Sequence, residues 1–295
     1  STKSRLKWLL GLFLVKWRCV MKRLRLLSKR WLIMKRLNWF YLGCTMTNWL
    51  WIAVSGCSGD QTELPQFRET GAFAAPQAHQ AAAADRKFIY AITNNMIAKY
   101  SRKTRQQLAV SVGDALHLNS GYIYRGSLLS AHSNYPQIPE QSQIKVLDLQ
   151  SMQLTTFHDF GNYGGSLTWV VRVGNRWLCN FAKYDKNNSA TFLAEFDRNW
   201  IETRRWTYPH EMVAQLGKYS LSGGLFHHQR LLVTGHDAQQ IYYLRIPQTG
   251  TVLKYIGRTS VPFTGQGFAV DPIGGGLVGI SRAEHRVIFL RSRRR

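Results

Sequence analysis

Two histidine-bearing stretches, Ala131-His-Ser-Asn-Tyr135 and Thr234-Gly-His-Asp237, carry side chains suited to proton transfer or to a polar ligand. Asp237 beside His236 joins a carboxylate to an imidazole, a combination that can hold a tautomer or move a proton near neutral pH. His117, Asn119, His132, Asn134, Ser166, Ser222 and Gln266 supply further donors and acceptors suited to a polar ligand. Asp237 and His236 are therefore the candidate catalytic pair, and those seven residues the candidate ligand-binding set. His132 and His236 occupy matching places in a repeat, so each is equally well read as a structural histidine bonded to a neighbouring backbone carbonyl. His117, His132, His236 and Asp237 form a mixed nitrogen and oxygen donor set, but no local ligand spacing joins them. No metal is assigned, and no motif names a cofactor. There is no Gly-x-Ser-x-Gly elbow, no His-Glu-x-x-His and no phosphate loop.

The elements that must position these residues are short β-like runs separated by tight turns. One hairpin recurs at Ile97-Ala-Lys-Tyr-Ser-Arg-Lys-Thr, Ile144-Lys-Val-Leu-Asp-Leu-Gln-Ser, Leu193-Ala-Glu-Phe-Asp-Arg-Asn-Trp and Tyr243-Leu-Arg-Ile-Pro-Gln-Thr-Gly. Its turn positions, Ser101, Asp148, Asp197 and Pro247, are 47, 49 and 50 residues apart. A second hairpin precedes it at Gly121–His132, Ser166–Asn180, Gly224–His236 and Gly267–Ile280, with a weaker copy at Ala82–Ile92. A period of about 40–50 residues with Gly and Asn turns marks the blades of a β-propeller. The fold class is all-β, a single five-bladed propeller over 85–295, with one or two helical turns near His210–Leu216. The last blade stops after a third strand, Arg286 to Leu290, and an open edge invites pairing. A segment from Phe67–Ala75 is expected to close it. In a blade, the loop leading into the innermost strand and the loop between the second and third strands share one face. That rule gathers the candidate residues at one mouth of the central channel and leaves Arg125, Gly174–Arg176 and His227–His228 as ordinary turns on the other.

The 295 residues include 39 Lys and Arg against 16 Asp and Glu, a formal charge of +23. Residues 1–59 hold 12 of those basic residues and no acidic one, whereas the remaining 236 carry 27 basic and 16 acidic side chains, or +11. The imbalance is thus concentrated in a segment rich in Leu and Trp, which argues for export and against nucleic acid as a partner. Met34-Lys-Arg36, an apolar stretch from Trp39 to Val54 and Val54-Ser-Gly-Cys57 have the flanks and small-residue ending of a cleaved leader. The ending resembles a bacterial lipobox, which implies a lipoprotein-type signal over 34–57, lipidation of Cys57, and, with Ser58 following, an outer-membrane or periplasmic lipid-anchored protein. An N-terminal transmembrane anchor is the alternative. Residues 1–33 read either as upstream sequence from a misplaced start or as a basic amphipathic surface helix. Residues 58–84 read as a flexible tether. Cys179 would be the one thiol left after cleavage and lipidation, with the character of a small buried hydrophobe.

Ala131-His-Ser-Asn-Tyr-Pro136, Phe160-Gly-Asn-Tyr-Gly-Gly-Ser166, Tyr219-Ser-Leu-Ser-Gly-Gly224, Leu232-Val-Thr-Gly-His-Asp237 and Pro262-Phe-Thr-Gly-Gln-Gly267 together resemble a family of secreted bacterial propellers. Its members are often labelled cycloisomerase-like, and the resemblance covers about residues 80–290. It is more distantly similar to the lactonase and carboxymuconate-cyclase propellers, which implies chemistry on sugar lactones or muconolactones, in some members with a calcium held by Glu, Asn and Asp. No Glu stands at the start of an innermost strand here. Two functions follow. The first is a membrane-tethered, exported, monomeric propeller that binds a small molecule or a protein at its polar mouth. The second is a lactonase- or cycloisomerase-type enzyme with Asp237 or a neighbouring histidine as acid and base.

Overall fold

The computed structural model describes residues 63–293. The basic stretch 1–33, the leader 34–57 and Cys57 lie outside the described residues.

Among the described residues, twenty strands form five four-stranded antiparallel sheets. Blade I holds β2 (Ala81–Ala84), β3 (Phe88–Ile92), β4 (Ile97–Ser101) and β5 (Gln107–Val110). Blade II holds β6 (His117–Tyr124), β7 (Ser127–Ser133), β8 (Ser142–Asp148) and β9 (Leu154–Gly161). Blade III holds β10 (Ser166–Val173), β11 (Arg176–Ala182), β12 (Phe192–Phe196) and β13 (Glu202–Thr207). Blade IV holds β14 (Gly223–His227), β15 (Arg230–Thr234), β16 (Gln240–Arg245) and β17 (Lys254–Ser260). Blade V takes β18 (Ala269–Asp271), β19 (Gly276–Ser281) and β20 (Arg286–Ser292), and its fourth strand is β1 (Phe67–Ala74) from the other end of the chain. This is the five-bladed all-β propeller expected from the repeat. A single helical turn, His210–Val213, stands in the connection between blades III and IV.

The first strand of each blade lies innermost, and these five strands contact one another around the channel in blade order. Two features close the ring. β1 runs antiparallel to β20 from Phe67 opposite Ser292 to Ala74 opposite Arg286, which removes the open edge of blade V. Around Gly267, its N–H donates to Gln80 O at 2.8 Å and its carbonyl accepts from Ala82 N–H at 3.3 Å, joining blades V and I.

Residues 67–84, which fall in the tether expected over 58–84, are part of the propeller. Ala81–Ala84 are all buried in an innermost strand. Near the axis the strands converge, and small side chains are what the space admits. A Cβ on Gly267 would lie 2.5 Å from Ala81 Cβ and 2.8 Å from Ser120 Cα. One on Gly224 would lie 2.4 Å from the ring of Trp169, a fully buried residue of the adjoining inner strand. Farther out the blades are held together by apolar layers, with Trp206, Leu225, Tyr242 and Phe268 in one continuous core and Cys179 buried in another. Burial raises the thiol pKa of Cys179, which keeps it inert.

Aspartates fix the turns opposite the candidate site. Asp148 Oδ1 accepts from the N–H groups of Gln150 and Ser151, and Asp197 Oδ1 from those of Asn199 and Ile201. Both were read as turn residues, and each side chain supplies the acceptor that its turn leaves unfilled.

Candidate functional site

A polar cavity of about 490 Å³ occupies one mouth of the channel, here the upper mouth. Of the nine residues selected from sequence, the structure brings six to its wall: His117, Asn119, Ser222, His236, Asp237 and Gln266. They arrive from the starts of inner strands in blades II and IV, the loop before blade V and the loop after β15.

The organising contact is a three-residue chain. Arg282 Nη1 lies 2.8 Å from His236 Nε2, and His236 Nδ1 lies 2.6 Å from Asp237 Oδ1. A guanidinium can only donate, so Nε2 is the acceptor and the ring proton resides on Nδ1, from which it is donated to Asp237. Burial lowers the His236 pKa, the Asp237 carboxylate opposes that, and the Arg282 charge reinforces it. The ring also stacks on Tyr219, with centroids 3.9 Å apart at 15°. Gln266 Nε2 donates to the His236 carbonyl at 3.2 Å, tying the same loop to blade V. The chain orients Arg282 and leaves its other N–H groups for the cavity, while the Asp237 side chain is 70% exposed.

On the facing wall, His117 stands against Tyr135, with ring centroids 5.3 Å apart, and Tyr135 against Tyr184 at 4.8 Å. Burial lowers the His117 pKa and the Arg282 charge adds to it, which favours the neutral ring. Its nitrogens make no hydrogen bond within the described residues. Gln80 Nε2 donates to Asn94 Oδ1 at 2.5 Å and presents a pair of amides from blade I. Asn119 is anchored by its amide donating to Leu167 O at 3.0 Å.

Three selected residues do not line the cavity. His132 is 6% exposed, and its Nε2 accepts the Leu116 N–H at 2.9 Å, so it bonds a backbone donor and not the carbonyl expected. Burial, with Lys145 and His117 adding to it, lowers its pKa to about 4. Asn134 holds its own loop, with Nδ2 donating to Pro139 O and Oδ1 accepting from Gln141 N–H. Ser166 is buried at the start of β10.

The matching of His132 with His236 also fails, by one residue. Gly121 pairs with Ser130 and Gly224 with Val233, so His132 corresponds to Gly235. Neighbouring strand residues point to opposite faces, and the offset sends the two rings into different surroundings. Tyr135, Tyr184 and Arg282 lie in loops between second and third strands and Tyr219 in a loop leading into an innermost strand, the two kinds of loop that the blade rule sends to this mouth. Gln80 was missed because it fell in the supposed tether.

Among the described residues no three His, Cys, Asp or Glu side chains converge as metal ligands. No helix among them is long and apolar enough to cross a membrane. No protein-family model matches the chain, and no curated protein does. Of solved structures, the chain is similar to Myxococcus xanthus glutaminyl cyclase at 9% identity and a TM-score of 0.55, covering 77% of this chain and 96% of that one. It also matches a chain of a mitotic checkpoint complex at 10% identity and a TM-score of 0.42, covering 86% and 98%. At these identities the likeness concerns the fold, and the first of them supports the propeller architecture.

Proposed function

We propose that this protein is an exported, membrane-tethered propeller whose upper mouth binds a small carboxylate-bearing ligand, with sugar acids as the class that fits its lining. The observation that carries the reading is Arg282, held by the His236–Asp237 chain at the edge of a cavity rich in amides. A guanidinium in a fixed orientation matches a carboxylate through two parallel donors. Tyr135, Tyr184 and Tyr219 offer flat apolar faces, and Asn94, Asn119 and Gln266 offer the hydrogen bonds that hydroxyl groups need. Support for the tether comes from residues 34–57 of the sequence, and Cys57→Ala is expected to move the protein to the soluble fraction.

The ligand reading is tested by calorimetry of the purified protein with glucuronate and gluconate, using glucose as the uncharged control. Binding of the acids, absent for glucose and at least ten times weaker in Arg282→Gln, is expected. Equal binding of glucose, or an unaffected Arg282→Gln, would remove it.

One observation favours an enzymatic second reading. His117 faces the same cavity, its ring nitrogens make no hydrogen bond among the described residues, and burial lowers its pKa, which favours the unprotonated ring a general base needs. Asp237 suits that role less well, since one oxygen is engaged by His236. Turnover of gluconolactone that disappears in His117→Gln would establish a lactonase-type activity. Turnover unchanged in that variant would assign any hydrolysis elsewhere.

A further inference from the structure

The lower face, opposite the polar mouth, has a different charge from the rest of the body. Its turns and strand ends carry Arg86, Arg125, Arg172, Arg198, Arg230 and Arg291, and none of these forms an ion pair among the described residues. The carboxylates on the same face are engaged locally. Asp85 accepts from Lys87 N–H, Phe88 N–H and the Tyr90 hydroxyl, and Asp271 pairs with Arg102 at 2.7 Å. Asp148 and Asp197 cap their turns as described above. The upper loops have the opposite balance, with Asp114, Glu140, Asp185, Glu211, Asp237 and Glu284 against Lys183, Lys186, Lys218 and Arg282. Among the described residues the basic excess is therefore greater on the lower side than on the upper.

Two further observations lie on that side. The ends of the inner strands surround a cup of about 360 Å³ lined by Tyr122, Val171, Phe226 and Phe268, with Arg86 and Arg172 among its lining residues. Ile273, in the turn between β18 and β19, is 40% exposed beside it. Phe67 at the start of β1 and Ser292 at the end of β20 also lie on this side, at a cleft lined with His228 and Gly275.

We infer that the lower face docks flat on an anionic lipid bilayer, its unpaired arginines against lipid phosphates, with the polar mouth turned away from the membrane. The charge asymmetry and the arginine-edged cup select the surface. This goes beyond ligand binding at the upper mouth and does not require lipid on Cys57. A basic residue near an anionic leaflet strengthens binding by about fivefold, and salt weakens it.

The test is co-flotation of the full chain with vesicles of phosphatidylcholine alone and of phosphatidylcholine mixed with phosphatidylglycerol. Stronger binding to the mixed vesicles, abolished by high salt, is expected. Arg86→Glu/Arg125→Glu/Arg198→Glu should reduce that gain at least tenfold without changing the melting temperature, whereas Lys186→Glu/Lys218→Glu on the upper side should change it less than twofold. No gain on anionic vesicles, equal losses in both variants, or a gain untouched by the triple change would overturn the inference. So would a triple variant that loses retention of single-stranded RNA but keeps vesicle binding. Failure of the Cys57 anchor is distinguishable, since it lowers binding to neutral and anionic vesicles alike.

Discussion

The corners of blades II and IV look alike in sequence, each with a histidine after a strand of buried leucines, yet they do different work. At blade II, His132 lies within β7, takes a backbone N–H on Nε2 and is shielded from solvent. At blade IV, His236 lies two residues beyond β15, where it stacks on Tyr219 and relays Asp237 to Arg282. Counted from the paired glycines the two rings are one residue out of step, and His236 falls beyond its strand, in a loop that reaches the mouth.

The contrast can be broken in four graded ways. The largest effect should come from acid. His132 has a folded pKa of about 4 against an ordinary 6.5, so the unfolded chain binds the proton more tightly and stability falls as pH drops from about 6.5 toward 4. The loss is about 3 kcal/mol, measured by denaturant melts at the two pH values, and His132→Gln should flatten it. Next, His132→Ala at pH 7 should cost about 2 kcal/mol by leaving the Leu116 N–H unpaired, with ligand affinity unchanged in the folded protein. Third, His236→Phe keeps the stack on Tyr219 and removes the acceptor for Arg282. It should change stability by less than about 0.5 kcal/mol and weaken glucuronate binding about tenfold, or ~1.4 kcal/mol. Smallest, Asp237→Asn at its exposed position should weaken binding about threefold, since the amide oxygen still accepts the His236 proton. If His132→Ala and His236→Phe proved alike in stability, the distinction between the corners would not hold.

The five blades were legible because the turn residues at Ser101, Asp148, Asp197 and Pro247 keep a nearly constant spacing, and because an incomplete last blade requires a partner strand. Ala81–Ala84 was legible only in part, as the start of the weaker hairpin copy at Ala82–Ile92 and the end of the supposed tether. Four alanines carry neither β-branching nor alternation, and their use becomes apparent only where inner strands crowd the axis. The site was legible as a set of loops and less so as a set of residues. Arg282 stands in a loop assigned to the right mouth, but its partnership with His236 spans 46 residues and two blades. The lower face read as simple turns because charge was followed along the chain, whereas the fold sorts it by alternate loops.

The account rests most heavily on Arg282 as the ligand's anchor and on His236 acting through it. A double-mutant cycle with Arg282→Gln and His236→Phe, read as glucuronate affinity by calorimetry, tests both at once. The double variant should bind no more weakly than Arg282→Gln alone, because His236 contributes by orienting a group already removed. Independent, additive losses would contradict the account, as would an Arg282→Gln variant that binds like the parent protein.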